Sequence, residues 1–172
     1  YKTNRKPLAG DAKQEGQVTQ YSLSTPFDIS TATKTSQTDL LGGGSTPVLK
    51  YPHAIEFIPD GTKMFVVSGD AFSDVYQYKL TTAWDSSSAE FETIHAVTRD
   101  NDTRHLRTLA FKPDGTRMYT GGKSNPSTKS KIKQFTLTNP WDLTSGVSTA
   151  VLSNDLGSSE PNLRNAQFDN TG

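Results

Sequence analysis

The chain has 172 residues, 18 Lys and Arg balanced by 18 Asp and Glu, and no cysteine. That length suits one ordinary domain, the cancelled charge provides no general attraction to a nucleic-acid polyanion or an anionic membrane, and the missing thiols remove disulfide frameworks and thiolate zinc sites. Hydrophobic residues make up 32% of the chain, and the abundance of Ser, Thr, Asn, Asp and Gly favours many short strands joined by polar turns over a helical bundle.

The chain opens on YKTNRKPLAGD, without an initiator Met or an apolar leader, which reads as a processed chain or an excised piece. No apolar run approaches the roughly 20 residues of a membrane-spanning helix, so membrane insertion is not expected. QVTQYSLS (17–24) is the first clear alternating stretch, followed by STPFDIS and a weaker strand candidate, TKTSQTDLL (33–41). LGGGSTP (41–47) is glycine-rich but lacks the Lys and the strand-to-helix setting of a phosphate cradle, and reads as an inter-strand loop.

AIEFI (54–58) then places Ile55 and Phe57 on one face at period two. Pro59, Asp60 and Gly61 supply a tight turn: Pro presets φ, Asp bonds its own backbone, and Gly accepts positive φ. KMFVVSG, DVYQYKLT and FETIHAVT continue as second, third and outer strands. DNDTRH (100–105) sets Asp100 and Asp102 in an alternating acidic loop, yet it lacks the glycine and terminal Glu of a calcium loop and reads as solvated. TLAFK (108–112), the turn Pro113, Asp114 and Gly115, RMYTGG, KIKQFTLT and GVSTAVLS (146–153) repeat the series.

Two phrases carry that repetition. FIPDGTKMFV at Phe57 returns 54 residues later as FKPDGTRMYT at Phe111, with a worn copy, FDNTG, at Phe168. QYSLSTPFD from Gln20 returns as QYKLTTAWD from Gln77 and QFTLTNPWD from Gln134, 57 residues apart each time. Four short antiparallel strands per repeat describe a β-propeller blade, so the expected fold is all-β, with repeats near 1–53, 54–107, 108–164 and 165–172. A β-trefoil is the weaker alternative. Gly172 aligns with Gly61 and Gly115, and Tyr1 with Phe65 and Tyr119, so both ends fall inside one repeat. Three blades are too few to close a ring; the expected partners are therefore other blades of a longer chain or, alternatively, a second copy making six.

Phe27, Trp84 and Trp141, each followed by Asp, suggest either a carbohydrate platform or inter-blade packing with the Asp capping a turn, and packing is the reading preferred. Four residues before each first-strand Phe stand His53, Arg107 and Arg164. In a propeller these would form a partial ring at one channel mouth, either binding an anion or acidic ligand or holding carbonyls of the neighbouring blade. No nucleophile elbow, Walker loop or zinc-protease helix is present, so no catalytic residue, metal or cofactor is expected.

The chain resembles β-propeller repeats whose blades carry a PDGTKMYV-like hairpin, here Pro59 to Val66 and Pro113 to Thr120, related to the YVTN and lactonase-like propellers. STPFDIS (24–30) and TNPWDLT (138–144) are similar to repeats in phage and marine bacterial structural proteins. The resemblance implies a non-catalytic structural or adhesive module of a virion tail or fibre, or of an extracellular microbial surface, binding protein or glycan through loops such as 2–16 and 122–131. Its alternatives are a lactonase-like or glycan-processing hydrolase completed by absent blades, and a self-assembling scaffold or filament subunit. The family's hydrolases use acidic channel residues, often with a divalent metal; the matching positions here are basic, and Glu56 has no matched carboxylate in the other repeats.

Overall fold

A computed structural model describes residues 1–6, 15–40, 49, 51–69, 73–97, 103–124, 130–148, 152–155 and 163. They form an all-β protein of three antiparallel sheets. The first contains β1 (Lys2–Lys6), β2 (Glu15–Leu23) and β3 (Ala32–Asp39) in chain order. The second is the four-stranded meander β4 (Pro52–Phe57), β5 (Lys63–Gly69), β6 (Ser73–Leu80) and β7 (Ala89–Ala96). The third contains β8 (Thr103–Phe111), β9 (Arg117–Ser124), β10 (Ser130–Asn139), β11 (Asp142–Val147) and β12 (Leu152–Asp155). Its outer position is shared: β11 pairs the end of β10 at Leu137 and Asn139, whereas β12 pairs its start from Lys131 to Gln134. The single outer strand expected over 146–153 is thus replaced by two pieces. The only helical elements among the described residues are two 3-10 turns, Ile29–Thr31 and Ser86–Ser88.

The ladders follow the sequence repeat. Lys2 pairs with Thr19 as Val66 pairs with Tyr76, which makes β1 the counterpart of β5 and the first sheet a repeat entered at its second strand. Among the described residues no strand pairs with the other edge of β1. The Pro-Asp-Gly-Thr hairpins form as their chemistry dictates. Gly61 and Gly115 have φ of 73° and 72°, and Asp60 Oδ1 accepts Thr62 N–H at 2.8 Å, as Asp114 Oδ1 accepts Thr116 N–H at 3.0 Å. Each aspartate closes a local ring that specifies the turn without any tertiary contact.

The sheets pack face to face through the second. Met64 and Val66 of β5, with Tyr76, Tyr78 and Leu80 of β6, share one core with Val18, Leu40 and Leu49. Phe65, Val67 and Val75 share the other with Leu106, Leu109, Phe111, Met118, Phe135, Leu137 and Leu143. Because successive side chains of a strand point to opposite faces, the run MFVV serves both cores, and β5 is buried from Met64 to Gly69. No ladder joins one sheet to another among the described residues, and the three sheets make an open array.

Candidate functional site

His53 and Arg107 occupy matching places on adjacent first strands. The β4–β5 register skips between Pro52 and Ala54, and the β8–β9 register between Leu106 and Thr108, so each residue stands at a β-bulge, a device that re-aims one side chain. Both are half-buried. The His53 ring lies against Gly69, where a Cβ would collide with it and would also crowd the Leu106 carbonyl of the third sheet at 2.7 Å. Thus His53 packs on backbone close to the seam between sheets. Arg164 lies outside the described residues, as do Asp100, Asp102 and the 41–47 loop. Three residues beyond His53, burial pushes the Glu56 carboxyl above its usual range.

The aromatic repeat positions are conformationally unusual. Phe27, Trp84 and Trp141 have φ of 63°, 63° and 58°. Asp28 N–H bonds Thr25 O and Asp85 N–H bonds Thr82 O, both at 3.1 Å, so the aromatic residue is third in a four-residue turn of the type II pattern, where glycine is usual. The left-handed region costs an L-residue roughly 1–2 kcal/mol. Ring packing offsets that strain. The Trp84 indole covers Gly61 and meets Phe57 at 5.6 Å between centroids, while the Trp84 backbone N–H bonds Gly61 O at 2.9 Å. Trp141 repeats this, its ring covering Gly115 and meeting Phe111 at 4.9 Å between centroids, its backbone N–H bonding Gly115 O at 3.0 Å. Both rings close on the hairpin of their own sheet, because the turn directs them back over its glycine, and Trp141 also borders the core shared by the second and third sheets. Phe27, whose own sheet shows no such hairpin among the described residues, is fully exposed.

Beside the hydrophobic cores, a glutamine ties one sheet to the next. Gln77, completely buried, accepts Leu143 N–H at 2.7 Å and donates to Glu92 at 2.7 Å and to Asp142 at 3.3 Å. One repeat earlier, Gln20 accepts the Ser86 N–H at 2.9 Å. Ser86 and Leu143 both follow the aspartate of the aromatic turn, so the same latch joins the first sheet to the second and the second to the third. Lys63 adds to the later seam, donating to Trp141 O at 3.3 Å and lying 3.7 Å from Asp142. In the sequence these glutamines mark only the start of a repeated phrase. The available signal was an invariant amide at one place on a strand otherwise lined with buried side chains.

The turn aspartates are committed to local bonds, and their carboxyls lie below the ordinary range. Ser30 holds Asp28 down, the Thr62 amide and hydroxyl Asp60, Ser87 Asp85, and Lys112 with Thr116 Asp114. At Asp142 burial pulls upward, but bonds from Thr144 and Gln77, with the Lys63 charge, outweigh it. Among the described residues, no three His, Asp or Glu side chains gather as a metal site. Comparison with protein-family models finds none that matches the chain, and comparison with the curated proteins finds no match.

Proposed function

We propose that this chain is a non-catalytic β-propeller module, structural or adhesive, that presents loops from a rigid stack of blades to a protein or glycan. The observation that carries this reading is the twice-repeated glutamine latch, which spends the polar groups between sheets on holding them in register. A stack fixed in this way leaves recognition to its loops, where binding on rigid scaffolds is concentrated. Placement on a virion tail or fibre, or on an extracellular microbial surface, rests on the resemblance of STPFDIS and TNPWDLT to repeats in such proteins.

The test pairs a glycan array and whole bacterial cells with a panel of lactones and oligosaccharides. Saturable binding without turnover is the expected result. Hydrolysis abolished by replacing Glu56 would overturn the proposal in favour of an enzyme.

A further inference from the structure

The two internal seams define what a sheet face in this protein receives. In each, one sheet offers a glutamine acceptor, Gln20 or Gln77, and the next offers the N–H following its turn aspartate, Ser86 or Leu143. The two ends of the stack carry the unused halves. On β10, Phe135 and Leu137 face the second sheet; the alternate residues Ile132 and Gln134, half-buried, lie on the opposite face. Gln134 stands 57 residues after Gln77, and its amide has no hydrogen bond among the described residues. At the other end the first sheet exposes Tyr21 and Leu23, with Ile29 in the place of Ser86 and Leu143. The Ile29 N–H likewise has no hydrogen bond among the described residues.

We infer that copies of this chain associate head to tail, the outer face of the third sheet receiving the first sheet of a second copy, with Gln134 accepting the Ile29 N–H. A second observation points the same way. Leu163 N–H bonds Ser130 Oγ at 2.9 Å, as Leu106 N–H bonds Ser73 Oγ at 3.2 Å where the third sheet begins on the second. Ser130 thus offers on this face the same contact through which Ser73 receives the third sheet. The sequence from Leu163, LRNAQF, has the pattern of LRTLAF in β8, and the first sheet is short of a strand in the position that β4 and β8 fill. The contact is heterologous, joining two different surfaces, so it propagates or closes as a ring instead of ending at a two-fold pair. It does not depend on what the loops bind.

Sedimentation equilibrium of the chain tests this. The expected result is a mass that rises with concentration above 18.8 kDa. Gln134→Lys removes the acceptor and places a charge in the seam; Ile29→Pro removes the donor at the first position of a 3-10 turn, where proline is accommodated. Each, with an unchanged circular dichroism spectrum, is expected to weaken association by about a hundredfold. Mixing the two variants restores one-to-one dimers, since each retains the face that the other has lost. Tyr21→Lys replaces Ile29→Pro if the proline alters the spectrum. A wild-type chain that remains monomeric at millimolar concentration overturns the inference, as do variants that associate like the wild type or a mixture that stays monomeric while the wild type assembles.

Discussion

Gln77 accepts the Leu143 N–H from a strand of the neighbouring sheet at 2.7 Å, with no surface of its own exposed. Three bonds converge on one amide, and the partner N–H is left without an acceptor when that amide is removed. Gln77→Ala is therefore expected to destabilise the fold by about 3 kcal/mol, the cost of an unpaired buried donor plus a small cavity. Urea denaturation checks this, and the exposed control Thr33→Ala should change the midpoint little.

The turn glycines are expected to be intolerant for two reasons that can be separated. Gly61→Ala meets both a φ of 73° and the Trp84 indole. A loss of about 3 kcal/mol is expected, of which roughly 1–2 belongs to the backbone. In a Trp84→Gly background the steric part disappears, so a double-mutant cycle should show coupling above about 1 kcal/mol. Strict additivity would mean that the ring does not seat on the glycine.

Tyr78 is 2% exposed, and its hydroxyl has no hydrogen-bond partner. Burial also pushes its ionisation far up. Tyr78→Phe keeps the edge contact with Phe91 while removing the stranded hydroxyl. The expected change is a gain of about 1 kcal/mol in thermal or urea unfolding.

Burial depresses the His95 pKa below 6.5, and its ring meets Phe135 of the third sheet edge-on at 5.3 Å. Between the lowered folded value and 6.5 the unfolded chain binds the extra proton, so stability falls as pH drops through that window. A stability profile should show this loss beginning near pH 6.5, and His95→Phe should remove it. The turn aspartates act lower, their contribution disappearing as pH falls below about 3.8. Glu56 acts in the opposite sense, its raised carboxyl costing stability as pH rises from 4.5. Glu56→Gln is expected to raise stability at neutral pH.

Residues whose conformation is decided by near neighbours were readable from the sequence. Pro59, Asp60 and Gly61 specify their hairpin through bonds spanning two or three residues, and the stretch DVYQYKLT forms the strand β6, with Val75 in one core and Tyr76, Tyr78 and Leu80 in the other. The alignment of Tyr1 with Phe65 was visible from spacing and reappears in the β1–β2 register. Partners across space were not readable. Gln77 and Leu143 are 66 residues apart, and nothing in either neighbourhood names the other. An aromatic in every repeat suggests packing, but it does not announce the positive φ that turns the Trp84 ring back onto Gly61, since that depends on a turn whose third residue is normally glycine. The bulges that carry His53 and Arg107 were hidden too, since a register skip leaves no mark in composition.

The burial of β5 on both faces has a thermodynamic consequence. The second sheet has two neighbours and each outer sheet one, so the array behaves as a short row of units coupled only to those beside them. In such a row the end units open first, and the free energy of opening the middle includes both couplings. Amide hydrogen exchange should therefore be slowest along Met64 to Val67, faster in β2 and β10, and should even out across all three sheets if the row is extended by further copies.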